Sequence, residues 1–258
     1  MVLAYNGTDI FYTDEGNGEA MVFLHGFLEN TTMWQGLIPS FKKQRRVICI
    51  DLPGHGNSGN LSYIHTMEIM ADAVMTVLDH LSVKRATFVG HSMGGYVSLA
   101  IAAKKEHLVQ KLVLLNSTWK SDTVERKVIR THAIAAVRNN KRAFINLSVH
   151  NLFAEKSRAL LKKEIAIVRD EANKTTEQGI IAAMEGMKIR PDYAKIIQTS
   201  KFNTILIIGR DDNLIDSQKM IKEGEKLGVT TFLMDGGHML HIENRTKVVL
   251  LLAEIVHK

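Results

Sequence analysis

Ala86-Thr87-Phe88-Val89-Gly90-His91-Ser92-Met93-Gly94 joins a short apolar run to a Gly-x-Ser-x-Gly turn, and a helical pattern continues through Ala100 to Lys105. An apolar run of this length suits a strand buried on both faces. A turn this tight, from strand directly into helix, leaves no room for bulk two positions before or after the serine, which glycine at 90 and 94 respects. The serine hydroxyl then stands over the carboxyl edge of a sheet. The helix amino terminus behind it favours negative charge. Ser92 is therefore the candidate nucleophile.

Working outward, similar apolar runs recur at Ala20 to Leu24, Val47 to Ile50, Leu112 to Leu115, Ile205 to Ile208 and Thr231 to Met234. Between them lie helical patterns. From Thr66 to Leu81, Met70, Val74, Val77, Leu78 and Leu81 fall at helical spacing, and Val248 to Val256 closes the chain as a helix. Strand-helix alternation predicts an α/β fold with a mostly parallel, doubly wound sheet. Asn6-Gly7 between two strand-like pieces predicts an antiparallel hairpin at the sheet edge. From Ser121 to Ser200 the strands stop and helical patterns take over, one of them opening with a capping-box pair, Thr175 and Gln178. The predicted organisation is a core of residues 1–120 and 201–258 with a helical cap of residues 121–200 inserted.

Composition narrows the function classes. A chain of 258 residues with 45% hydrophobic and 23% charged side chains is ordinary for a globular protein. No apolar run is long enough to span a membrane. The first residues lack a signal-peptide pattern, so a cytoplasmic setting is expected. Cys49 is the only cysteine and sits in an apolar run, which suits a buried thiol. Ser121 to Ser200 carries 15 Lys and Arg against 9 Asp and Glu, so the whole net charge of +6 lies there. No aromatic residues interleave those charges, so nucleic acid is not an expected partner.

Further motifs join the turn around Ser92: His25-Gly26 after the first buried run, Asp51-Leu52-Pro53-Gly54-His55-Gly56-Asn57-Ser58, and Gly237-His238 near the carboxyl end. Together they make the chain resemble a capped serine hydrolase of the α/β-hydrolase superfamily, close to the small carboxylesterase-like members. The resemblance implies a Ser-acid-His order, with His238 as base and Asp212 of Gly209-Arg210-Asp211-Asp212 as acid; Asp211 is then a turn residue and Asp122 a weaker alternative. It also implies an oxyanion hole from the backbone N–H groups of Phe27 and Met93. His25 and Trp34 are candidates for the substrate pocket, with architectural and core roles as the alternatives. His55, His91, Asp51 and Glu243 resemble structural positions. The implied substrate is a small-molecule ester or thioester, with no cofactor and no metal, the histidines being too scattered for a ligand motif. Carbon–carbon hydrolases, lactonases and haloperoxidase-like enzymes share the triad, although the first often carry asparagine where His91 stands. Some small-molecule receptors keep the same fold.

The concentrated charge has two readings: solvated helix faces, or a positive wall beside the substrate entrance. The second predicts a modest preference for anionic over neutral esters of equal length, and kcat/KM measured for such a pair at low and high ionic strength separates the two. A ratio that falls with salt supports steering, and a constant ratio leaves Arg138, Lys141, Arg142, Lys162 and Lys163 as surface solvation.

Overall fold

Side-chain alternation divides the sheet residues between two cores. In a computed structural model that describes residues 1–257, eight strands form one sheet in the order β1-β2-β4-β3-β5-β6-β7-β8. β1 (Val2–Tyr5) and β2 (Thr8–Glu15) form the edge hairpin; Asn6 and Gly7 take positive φ of 49° and 81°, as a two-residue turn requires. β3 (Ala20–Leu24) leads through a helical turn to α1 (Ile38–Phe41), then β4 (Arg46–Ile50) and α2 (Met67–His80). β5 (Ala86–His91), α3 (Met93–Lys104) and β6 (Val109–Leu115) follow. β2 pairs antiparallel with β4, while β3 to β6 pair in parallel.

Five helices separate β6 from the next strand: α4 (Val124–Leu152), α5 (Glu155–Arg158), α6 (Lys162–Lys174), α7 (Glu177–Ile189) and α8 (Ala194–Thr199). The parallel sheet then resumes with β7 (Asn203–Gly209), α9 (Ser217–Lys226), β8 (Thr230–Met234), α10 (Leu240–Glu243) and α11 (Arg245–His257). Met21 and Phe23 of β3, with Val47 and Cys49 of β4, face one core beneath α1 and α11. Val22, Leu24, Ile48 and Ile50 face the other, beneath α2 and α3. This is the period of two expected of a strand packed on both sides. Burial pushes the Cys49 thiol up to about 12, so it is an inert core group. No helix is long and apolar enough to cross a membrane.

The inserted helices rest on loops at the carboxyl ends of the strands. Asn30 Nδ2 donates to Glu171 at 3.1 Å, and the His238 N–H donates to the Leu152 carbonyl at 2.9 Å. α4 is two helices joined at Asn140, whose non-helical backbone (φ −155°, ψ 87°) lets its side chain accept the Ala143 N–H and start the second half. Arg138, Arg142, Lys162 and Lys163 are exposed. Lys141 differs: its ammonium donates to the Asn173 and Thr175 carbonyls at the end of α6, where a cation is favoured.

Two local expectations change. The cap of α7 is Thr176, not Thr175; its hydroxyl accepts the Gly179 N–H at 3.0 Å. Gly179 packs directly on the Gly54 carbonyl, and that close approach sets where the helix begins. β8, expected to be buried on both faces, is the sheet's edge strand and stays half-exposed.

Burial also sets an acid limit on the fold. It lowers His55 and His241 to about 3 and His65 to about 4, from an ordinary 6.5. The unfolded chain therefore binds more protons than the folded one below about 6.5, and stability present above that pH is lost as pH falls. His91, whose pKa is raised, acts in the opposite sense but alone. Thermal midpoints should fall steadily from pH 7 to pH 5 and the fall should shrink in His55→Gln; midpoints constant over that range would contradict the assignment.

Candidate active site

The backbone at Ser92 is the most constrained point of the sheet edge. Its φ of 49° and ψ of −113° lie where non-glycine residues are rare, at a cost of about 1–3 kcal/mol. Contacts on both sides hold it there. A Cβ at Gly90 would strike the Gly94 carbonyl, and one at Gly94 would strike the Leu24 carbonyl. The Ser92 N–H donates to the Leu115 carbonyl at 3.0 Å, and the Ser117 hydroxyl donates to the Ser92 carbonyl at 2.7 Å. Between buried neighbours, Ser92 alone in the turn is half-exposed.

His238 and Asp212 meet Ser92 from loops after β8 and β7. The His238 ring lies with Nε2 2.9 Å from Ser92 Oγ and Nδ1 2.8 Å from Asp212 Oδ2. With the proton on Nδ1 donated to Asp212, Nε2 is free to accept from the hydroxyl. The Asp212 carboxylate has no slack. Oδ2 also accepts from Asn116 Nδ2 at 2.9 Å, and Oδ1 accepts the Leu214 and Ile215 N–H groups at 2.8 and 3.1 Å. Burial would push its pKa up, but the neighbouring His238 and these donors hold it below the usual carboxylate range.

The loop after β3 brings Phe27 beside the turn. Among the described residues, the N–H groups of Phe27 and Met93 donate to no protein acceptor. Glu29, fully buried, lies behind them. Its Oε2 accepts the Gly26 N–H at 2.6 Å and the His91 Nδ1–H at 2.7 Å, and the other ring nitrogen of His91 donates to the His238 carbonyl at 2.9 Å. Burial opposes charge on both groups. Their mutual attraction prevails, raising His91 and taking Glu29 down to about 2. Glu29, His91 and His241 also place metal-capable donor atoms within 4.8 Å of one another, a cluster invisible in the sequence spacing. The 2.7 Å contact between the first two is a hydrogen-bond distance, so a shared proton joins them.

The two residues expected at the pocket wall lie elsewhere. Trp34 is fully buried in the core under α11, its ring 5.1 Å from Phe23 and 5.9 Å from His241. His25 is equally buried: Nδ1–H donates to the Gly26 carbonyl and Nε2 accepts the Leu52 N–H, both at 2.8 Å. With both nitrogens used by backbone, it ties the loop after β3 to the loop after β4.

The remaining acids separate cleanly. Asp211 pairs with Lys156 on the surface at 2.7 Å. Asp122 is buried between Arg130 and Arg190 and makes no contact with His238. Asp51 accepts the Thr31 and Asn57 N–H groups at 2.7 and 2.8 Å, and Glu243 accepts those of Gly237 and Ala154 at 2.9 and 3.1 Å. Both hold loops, as their positions suggested. Asn116 has no motif of its own; its positive φ of 44° just past β6 and its bonds to Asp212 and the Gly237 carbonyl emerge only in the fold. A cavity of about 220 Å³ opens nearby, with Leu28, Ile167, Val168, Met239 and Ile242 among its walls. Leu28 and Met239 bring it beside Phe27 and His238, but none of Ser92, His238, Asp212, Phe27 and Met93 lines it.

Comparison with known proteins gives the family. A family model described as alpha/beta hydrolase fold matches residues 19–245. A dihydrolipoyllysine-residue acetyltransferase component of an acetoin cleaving system from Pseudomonas putida is 28% identical over 235 residues, 90% of this chain. The chain spans only 61% of that relative's length. A 2-hydroxy-6-oxo-2,4-heptadienoate hydrolase, also from Pseudomonas putida, is 27% identical over 272 aligned positions, covering 99% of this chain and 95% of the relative. Among solved structures, a thermophilic esterase from Thermogutta terrifontis superposes with a TM-score of 0.92 at 26% identity, covering 99% of this chain and 96% of its own. With the family model spanning most of its length, the chain belongs to the α/β-hydrolase family.

Proposed function

We propose that the protein is a serine hydrolase that cleaves carboxylic esters or thioesters of small molecules through an acyl-enzyme intermediate. The observation that carries this reading is the unbroken hydrogen-bonded line from Asp212 through His238 to the half-exposed hydroxyl of Ser92. Serine is a weak nucleophile at neutral pH, so His238 Nε2 takes its proton as Oγ attacks the carbonyl carbon. Asp212 keeps the ring in the tautomer that can do so and stabilises the imidazolium that forms. The carbonyl oxygen becomes an oxyanion, and the unpaired N–H groups of Phe27 and Met93 are the donors assigned to it. Collapse expels the alcohol or thiol, which leaves with the proton from His238. Water, deprotonated by the same ring, then releases the acid. No step requires a cofactor.

The inserted helices of residues 121–200 act as the cap in this reading. They pack on the loops that carry Gly54, Asn30 and His238, and α6 forms one wall of the 220 Å³ cavity. A second reading has one specific support: the heptadienoate hydrolase aligns over nearly both chains, so cleavage of a carbon–carbon bond beside a ketone is the alternative reaction.

Ser92→Ala should reduce ester-cleaving kcat by roughly 10³-fold or more, because the triad members act as a unit. Steady-state turnover of a p-nitrophenyl ester series checks it, with the diketone tautomer of 2-hydroxy-6-oxo-2,4-heptadienoate, the compound in that relative's name, as the parallel arm. A folded Ser92→Ala protein that keeps near wild-type turnover rules the mechanism out, and turnover of the diketone alone moves the assignment to the second reaction. The neighbouring aspartates provide a sharper contrast. Asp212→Asn should cost orders of magnitude in kcat through loss of the orienting charge, whereas Asp211→Asn, which loses only an exposed ion pair, should stay within about tenfold. Equal damage at both positions would overturn the assignment of Asp212.

A further inference from the structure

His25, Asp51, Asn116 and Glu243 each join two segments around Ser92. The Glu29–His91 pair reaches three. Glu29 Oε2 takes the Gly26 N–H, and its own N–H returns to the Gly26 carbonyl at 3.3 Å, closing the turn that carries Phe27. Within that turn Leu28 is held at a φ of 64°, a left-handed backbone that an L-residue adopts only under constraint. The same carboxylate oxygen takes the Nδ1–H of His91, the residue immediately before Ser92. The other ring nitrogen of His91 meets the His238 carbonyl. Both nitrogens of His91 thus face oxygen atoms, and with Glu29 ionised each must carry a proton. Glu29 and His91 are both almost wholly shielded from solvent. A side chain at Gly26 would collide with Glu29 and His91 and crowd Ser92, so the loop after β3 and the nucleophile turn are in direct contact.

We propose that Glu29 and His91 are positioning residues that lock the oxyanion loop, the nucleophile turn and the backbone of the catalytic histidine into one unit. This rests on the serine-hydrolase reading. Neither side chain touches the reacting atoms in it. The Glu29 carboxylate holds the Gly26 N–H, one peptide before the one that aims the Phe27 N–H and whose carbonyl His25 and the Glu29 N–H hold, and His91 carries that setting across to His238. Oxyanion donors act only where they already lie at the right distance, so a loop freed by a fraction of an ångström loses rate while binding is little changed.

Glu29→Gln keeps the length and an acceptor for the Gly26 N–H but removes the charge that lets His91 hold two protons. His91→Asn removes the ring. The measurement is kcat and KM for p-nitrophenyl acetate, with kcat expressed per site titrated by a fluorophosphonate, so that unfolded molecules do not count. Each single variant should lose at least about fivefold in kcat with KM within about threefold, and the double variant should lie within about threefold of the weaker single, because the two residues act through one link. Nitrogen-15 spectra of the imidazoles should show both His91 nitrogens protonated at pH 7 in the wild type and only one in Glu29→Gln. A loss below about fivefold in Glu29→Gln, losses that multiply in the double variant, or a wild-type His91 with one bare nitrogen would each overturn the proposal. Wild-type protein that takes up no fluorophosphonate at Ser92 would remove the serine-hydrolase reading itself, and this proposal with it.

Discussion

The geometry of the sheet edge follows from one strained residue. Ser92 is held in a left-handed backbone between β5 and α3, and only the backbone contacts permitted by Gly90 and Gly94 make room for that conformation. The strain, of order 1–3 kcal/mol, is offset by packing that surrounds the turn on every side but one. α3 is buried nearly all round against the sheet and α2, so the turn cannot relax without moving the core. The open side is where the hydroxyl points, and it is where His238 waits. A relaxed turn would carry Oγ away from Nε2, and nothing else in the site would compensate.

Around that fixed point, carboxylates do a common job. Asp212, Glu29, Asp51 and Glu243 each accept two or more N–H groups, from loops that β-sheet hydrogen bonding cannot reach. Hydrogen bonds to a charged group are worth about 1.5–3 kcal/mol each, so four such anchors outweigh the cost of ordering a few loop residues. The anchors differ in what they leave free. Asp212 spends one oxygen on backbone and turns the other to His238, while Asp51 and Glu243 turn wholly inward.

Local sterics and periodicity made much of this legible in the sequence. Ala20 to Leu24 reads as a strand because a continuous apolar run suits burial on both faces, and Ser92 as the candidate nucleophile because Gly90 and Gly94 flank it between a strand and a helical pattern. The interruption from Ser121 to Ser200 is visible because its apolar residues, such as Leu160, Leu161, Ile165 and Val168, fall at helical spacing. Asp212 and His238 were accessible only through resemblance, since nothing in Arg210-Asp211-Asp212 distinguishes the aspartates until the fold turns one inward to Asn116 and the other out to Lys156. Trp34 and His25 were each open to two readings for a related reason. An aromatic or imidazole side chain just after a strand has the right chemistry for a pocket wall, and only tertiary packing places the one under α11 and closes both nitrogens of the other. The Glu29–His91–His241 cluster was beyond reach, because its members come from three separated segments and their spacing follows no local period.

Everything rests on Ser92 forming a covalent intermediate. The direct measurement is to mix enzyme with a slowly deacylated ester, quench in acid within the first turnover, digest, and locate the acyl group by mass spectrometry. The account predicts the acyl mass on the peptide containing Ser92, at up to one equivalent and absent from Ser92→Ala. Steady turnover with no acyl group on that peptide, or with the label on another side chain, would contradict it.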